Sequence, residues 1–195
     1  MSAKRYAVLG FGAVAVDDLL YVDEFPLPDG KTPVRSRQRA GGGLAGTALV
    51  AVARLGQEAA YCGVLDRDEL SQFTEDELVK EGVDCTPVIH QSGARPYHSV
   101  IIVCRNHPSR SILFSNEGVT EPSRAEITPA LVGSAKVLFV DHTVPQAAIW
   151  AAGLARQQGI PVVADVEAAN FPFQEEYLQA VDHLILGIDL ARQLS

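Results

Sequence analysis

Residues 40–56 read AGGGLAGTALVAVARLG, three consecutive glycines followed by an alanine-rich apolar run. Glycines ahead of a helix can turn several backbone N–H groups toward one polar ligand, so Gly41, Gly42 and Gly43 are the first residues with chemistry to offer. A phosphate-gripping P-loop would need a lysine after the glycines and a Ser or Thr for magnesium. Gly46-Thr47 supplies the threonine without the lysine, which excludes that reading. A dinucleotide fingerprint is matched at Gly10-Phe11-Gly12-Ala13-Val14-Ala15, but its mechanism requires a helix starting there to face the pyrophosphate. Val16 to Val22 carry no helical face and run into prolines. Close packing of a first strand explains those glycines better. The remaining reading is a loop that enters a helix at Thr47 and offers N–H groups to a polar ligand, with plain helix–sheet packing as the alternative. The glycines alone leave both open.

The elements that must position these residues follow from the hydrophobic pattern. Residues 5–16 form a continuous apolar run, as a strand buried on both faces would. Residues 18–24 and 32–40 are polar and extended around Pro26, Pro28 and Pro33, the composition of a flap or hairpin. Helices are expected at 47–55, 68–81, 129–134, 145–159, 175–180 and from 189 onward. Strands are expected at 58–65, 97–104, 110–115, 136–140, 160–165 and 183–186. Strands alternating with helices predict an α/β fold with a largely parallel sheet flanked by helices. The segments 18–40 and 95–116 do not fit that layer and are expected to make a small antiparallel β lid projecting from it. Arg95 and Arg110 bracket the lid strands and are candidates for holding an anionic substituent, against an ordinary solvated face. His142 follows a central strand, near the edge where α/β proteins bind ligands.

Bulk composition narrows the classes. The chain has 195 residues, 47% hydrophobic and 21% charged, enough for one well-packed domain. Its net charge of −8 argues against a nucleic-acid or anionic-membrane partner. Cys62, Cys85 and Cys104 are odd in number and widely spaced, with no CxxC pair, which suits a reducing cytosol and buried thiols. No spacing of His, Asp and Glu resembles a metal site. The opening MSAKRYAVLGFGAVAV superficially mimics a leader, but a first buried strand explains it better. No stretch is long and charge-free enough to span a bilayer.

Several stretches together resemble the ribokinase-like (PfkB) family of carbohydrate kinases. GAVAVDDLLYVDEFPLPDGK (12–31) is similar to the family's first strand, sugar-contacting aspartate and flap, and AGGGLAGTALVAVARLG to its first signature. LVKEGVDCTPV (78–88) and LARQQGIPVVADVE (154–167) resemble two further family elements, in family order. The resemblance implies a ribokinase-like fold in which the glycine loop holds the sugar and not the nucleotide. Asp17, Gly42 and Gly43 would hydrogen-bond substrate hydroxyls, a carboxylate accepting from vicinal hydroxyls while backbone N–H groups donate. Thr47 stands where the signature usually has asparagine. Asp141 is a further candidate substrate contact, against an ordinary strand-end carboxylate.

The GGG-x-A-x-T-A form of the signature is most similar to the sulfofructose kinase branch, and the flap and the strand pair at 97–115 also resemble ketohexokinase, which implies a fructose-like sugar. Thr143 stands where that branch's sulfonate-binding arginine would be, which argues against a sulfosugar. Asp66 and Ser71 replace two family glycines, and Leu186-Gly187-Ile188-Asp189 replaces the asparagine–glutamate element that organises magnesium. The second family signature, with its Gly-Ala-Gly-Asp anion hole and aspartate general base, would lie beyond Ser195. The resemblance therefore implies ATP and Mg2+ as cofactors with their C-terminal site missing, no catalytic residue within these 195 residues, and a truncated chain inactive by itself. A homodimer through the lid is expected, in the cytoplasm. The alternative is a non-catalytic sugar-binding or regulatory module. A dehydrogenase on the Gly10–Ala15 fingerprint is a distant third.

Overall fold

A computed structural model describes residues 5–194. The first strand, β1 (Tyr6–Phe11), is followed by β2 (Ala15–Val22), β3 (Ser36–Gly42), helix α1 (Leu44–Arg54), β4 (Ala59–Tyr61), β5 (Val64–Leu65), α2 (Glu69–Lys80), β6 (Val83–Asp84) and β7 (Ile89–His90). Then come β8 (Tyr97–Cys104), β9 (Ser109–Ser115), α3 (Pro129–Gly133), β10 (Ala135–Asp141), α4 (Pro145–Gln157), β11 (Val162–Val166), α5 (Gln174–Ala180), β12 (His183–Leu186) and α6 (Ile188–Leu194).

Six strands form the central sheet in the order β12-β11-β10-β1-β4-β6, every neighbouring pair parallel. Parallel strands need helices on both faces, and the sequence supplies them. On one face Ala147, Ala148, Ala151, Ala152 and Ala155 of α4 are buried, their small side chains letting the helix lie close to Leu138, Val140 and Val162. On the other, Ala45 and Leu49 of α1 and Leu78 of α2 pack with Tyr61 and Val83. Leu138 and Val140 have no exposed surface; burying a side chain of this size contributes roughly 1.5–3 kcal/mol. Helix α2 begins where its acidic start predicts, the Asp68 carboxylate accepting from the Ser71 N–H at 2.9 Å.

The segments expected to leave this layer do so. They form a four-stranded sheet ordered β3-β2-β8-β9, in which β2–β3 and β8–β9 are antiparallel pairs and β2–β8, between them, is parallel. Cys62, Cys85 and Cys104 are buried and unpaired.

Four boundaries differ from the sequence expectation. The run 5–16 is not one strand: it bends at Gly12-Ala13-Val14, because the Ala13 N–H turns to donate to Asp141 at 2.7 Å. Helix α1 starts at Leu44, three residues before Thr47, with Gly43 as its N-cap at φ 88°. The strand expected over 58–65 breaks at Cys62-Gly63, so that β5 leaves the main sheet to pair with β7. The two-residue strands β6 and β7 were not expected, since such short pieces carry no periodicity.

Candidate functional site

Asp17 lies within β2, in register with Ala40 of β3 and Ser99 of β8, and Ser99 is in turn opposite Phe114 of β9. Residues paired this way share one face of a sheet, so Asp17, Ser99 and Phe114 look the same way. The Asp17 carboxylate rests against the glycine loop: a Cβ built on Gly42 would overlap its Oδ2. Only glycine at 42 permits that approach.

The loop continues into the N-terminus of α1, whose first N–H groups have no intrahelical acceptor. Two of them are taken inside the chain. The Ala45 N–H donates to Asp141 Oδ2 at 3.2 Å and the Gly46 N–H to the Ala13 carbonyl at 3.1 Å. Gly43 and Leu44 lie between them and Gly42, whose backbone meets the Asp17 carboxylate. A carboxylate acceptor and a helix start are thus close together in the chain's fold, and carboxylates and backbone N–H groups are the partners a polyol's hydroxyls need.

Asp141 corrects the sequence expectation of a substrate contact. It has no exposed surface. Its Oδ2 accepts from the N–H groups of Ala13 and Ala45, and its Oδ1 from the N–H and hydroxyl of Thr143. Burial pushes this carboxyl above the usual carboxylate range, against the pull of those donors. Asp141 is a tie that binds the β1–β2 bend to the start of α1, and it shapes the loop from behind.

Thr47 is exposed in the first helical turn. It lines a cavity of about 290 Å³ with Ala15, Gly41, Gly42 and, from α2, Thr74 and Glu77. The two candidate arginines are not brought together. Arg95 pairs with Asp68 at 3.1 Å and lines a narrow cleft with Gly12, Gly63 and Thr143 at the C-terminal ends of the central strands. Arg110 is opposite Val103, level with Tyr21, at the far end of the four-stranded sheet from Asp17. His142 packs on Phe171 with ring centroids 5.6 Å apart, and its Nδ1 accepts from the Glu167 N–H at 3.5 Å.

Ser99, nearly buried, is the residue that sequence reasoning missed. The alternation in YHSVIIVC puts Tyr97, Ser99 and Ile101 on one face. Only the pairing with β2 reveals that this is the Asp17 face. Among the described residues, no group of three or more His, Cys, Asp or Glu side chains stands close enough to hold a metal ion. The side chain of Asp189, in the segment expected to matter for magnesium, lies outside the described residues. No helix of the described residues is long and apolar enough to cross a membrane.

A family model described as pfkB family carbohydrate kinase matches residues 7–191. The chain is 28% identical over 160 residues to an ATP-dependent ribose-1-phosphate kinase of Halopiger xanaduensis, covering 81% of this chain and 53% of that protein. It is 22% identical over 192 residues to a 5-dehydro-2-deoxygluconokinase of Clostridium botulinum, covering 94% of this chain and 56% of the relative. It therefore spans about half the length of the curated relatives it matches. Among solved structures, it shares the fold of an Arabidopsis thaliana ribokinase complexed with ribose and ATP, with a TM-score of 0.75 at 18% identity over 93% of this chain and 60% of that one.

Proposed function

This chain belongs to the pfkB family of carbohydrate kinases, and from that premise we propose that it supplies the sugar-holding part of an ATP-dependent kinase acting on a hydroxyl of a fructose-like sugar. The observation that carries the reading is the contact of the Asp17 carboxylate with the Gly42 loop at the start of α1. Asp17 accepts from two sugar hydroxyls, the N–H groups of Gly43 and Leu44 donate to a third, and Ser99 and Ile101 of β8 cover the ring. The four-stranded sheet, built from segments 18–40 and 95–116, acts as a lid that excludes water from a reaction in which water would compete for the phosphoryl group. Fructose is favoured by the likeness of the flap and the strand pair at 97–115 to ketohexokinase, and of the glycine signature to the sulfofructose kinase branch; ribose is the competing sugar.

Phosphoryl transfer needs a base for the sugar hydroxyl and charge stabilisation at the γ-phosphate. Asp141, the buried acid behind the loop, has its oxygens engaged by Ala13, Ala45 and Thr143 and is not that base. ATP and magnesium are the family's cofactors. These 195 residues are therefore read as binding sugar without turning it over. Two copies pair through the lid sheet, where Ile112 and Phe114 of β9 are 49% and 66% exposed.

Calorimetric titration of fructose, ribose and glucose into the wild type and Asp17→Asn tests the reading. Binding that falls about tenfold or more in the variant supports it, since that is what a hydrogen bond to a charged group contributes. Equal affinity in the two proteins would overturn it.

A further inference from the structure

The face of the lid sheet opposite Asp17 carries a charge network that the sugar contacts do not require. Asp18, the next residue of β2, looks to that other face. Arg39 of β3 grips it with two parallel bonds, Nε to Oδ1 at 2.8 Å and Nη2 to Oδ2 at 3.0 Å. His98 of β8 meets the same Oδ2 through Nε2 at 2.9 Å. The remaining guanidinium nitrogen, Nη1, donates to Glu69 Oε1 at 3.0 Å, and the guanidinium stands 5.7 Å from the centre of the Phe73 ring. Glu69 and Phe73 belong to α2, which is rooted in the α/β body through buried Ser71, Thr74 and Leu78. Three strands of the lid thus meet at one carboxylate, and one helix of the body meets the guanidinium that grips it.

We propose that Asp18, Arg39 and His98, anchored on α2 through Glu69, form a strap that holds the lid sheet to the body and sets the pose of Asp17 against the Gly42 loop. They are positioning residues for the polyol site, and the proposal rests on the sugar reading of that site.

Two arguments lead there. Asp17 and Asp18 share a peptide unit, so any rotation of β2 that frees Asp18 from Arg39 also swings Asp17 off the loop. The second concerns register. Side chains alternate along a strand, and a slip of one residue exchanges the two faces. With two aspartates in succession, such a slip would leave a carboxylate on each face and meet no penalty in charge. Arg39 and His98 fix how far along the strand the carboxylate on the α2 side sits, and in this register that carboxylate is Asp18's, directly across from Arg39. A bidentate guanidinium–carboxylate pair fixes orientation as well as distance, which a lone ammonium does not. The pair is partly exposed, Arg39 and Asp18 side chains at 36% and 28%, so its effect on global stability is small while its effect on local geometry is not.

The test uses the full chain, fructose and ribose as probes, and the variants Arg39→Met and Arg39→Lys, both of which keep an unbranched stem over Phe73. Two measurements are made, sugar affinity by calorimetry and amide hydrogen exchange along β2 and β3. Arg39→Met is expected to weaken sugar binding roughly tenfold and to speed exchange in β2 and β3, with the central sheet unchanged; Arg39→Lys should recover part of both. Unchanged affinity and exchange in Arg39→Met overturn the strap, as does an Arg39→Lys protein no better than Arg39→Met. Asp17→Asn separates the two readings, since it should weaken binding about tenfold or more and leave exchange as in the wild type. If the wild type binds neither sugar, the sugar reading falls, and exchange in Arg39→Met alone decides whether the strap holds the lid.

Discussion

Asp141 occupies the space that a side chain at position 12 would need: a Cβ on Gly12, at φ 151°, would overlap the Asp141 carboxylate. The two residues are far apart in sequence, yet each dictates the other. The bend after β1 exists because a buried acid draws in the Ala13 N–H, and the acid fits because nothing projects from Gly12.

Gly12→Ala should accordingly destabilise the protein by about 2–4 kcal/mol, through overlap with buried groups that cannot retreat. Asp141→Ala should cost about 3 kcal/mol or more, because the N–H groups of Ala13 and Ala45 lose their acceptor in a dry interior. Urea unfolding checks both; a midpoint unchanged from wild type in either variant would contradict the tie.

Gly42→Ala is expected to behave differently. The added methyl displaces the Asp17 carboxylate, a side chain with room to turn, so stability should change by under about 1 kcal/mol. Sugar affinity should drop about tenfold. Calorimetry beside a thermal melt distinguishes this from a folding defect.

The acid side of the stability profile should report on Asp18. Arg39, and after it His98, hold its carboxyl down to about 2. A carboxyl depressed in the folded state stabilises at pH above its unfolded value and loses that contribution as pH falls toward 2. Between pH 5 and pH 2 the wild type should therefore lose about 1 kcal/mol that Asp18→Asn does not, after screening of a partly exposed pair. Urea midpoints across that range measure it, and parallel curves for the two proteins would refute it.

With ATP, magnesium and a sugar panel in a coupled assay, the 195-residue chain should give no phosphoryl transfer above background, because the oxygens of Asp141 are engaged by internal donors. Turnover abolished by Asp17→Asn would show that the described residues hold more of the catalytic apparatus than Asp141 allows.

Sedimentation should find a dimer that dissociates on Phe114→Asp. The exposed ring and its neighbour Ile112 supply the apolar face, and a charge there cannot be buried without a partner. A wild-type monomer at high concentration would remove the dimer.

Much of this architecture was legible in the sequence. Continuous apolar runs marked β10 and β11, the alanine spacing marked α4, and prolines with polar strands set the lid segments apart. The glycine loop could be read as a ligand loop only through family resemblance, since packing and binding place the same demand on a glycine. Asp141 shows where the reading failed. A carboxylate at a strand end looks identical in sequence whether it meets solvent or four internal donors, and only the return of the Gly12 bend and the α1 start to the same point decides between them. Ser99 and the Asp18 strap were hidden for a related reason: strand alternation gives faces, but which strand lies beside which is a long-range fact. Arg95 and Arg110 seemed a pair because both flank β8 and β9, yet a hairpin's far end and near end are separated by the length of its strands.

The Asp141 tie also sets an order of events during synthesis. Its bonds to Ala45 and Ala13 close loops of 96 and 128 residues, so the start of α1 leaves the ribosome long before its acceptor exists. Until β10 arrives, the start of α1 lacks this acceptor, and contacts of such separation are slow to form. The tie that completes the start of α1 is consequently a late acquisition of the nascent chain, made by a residue with no exposed surface.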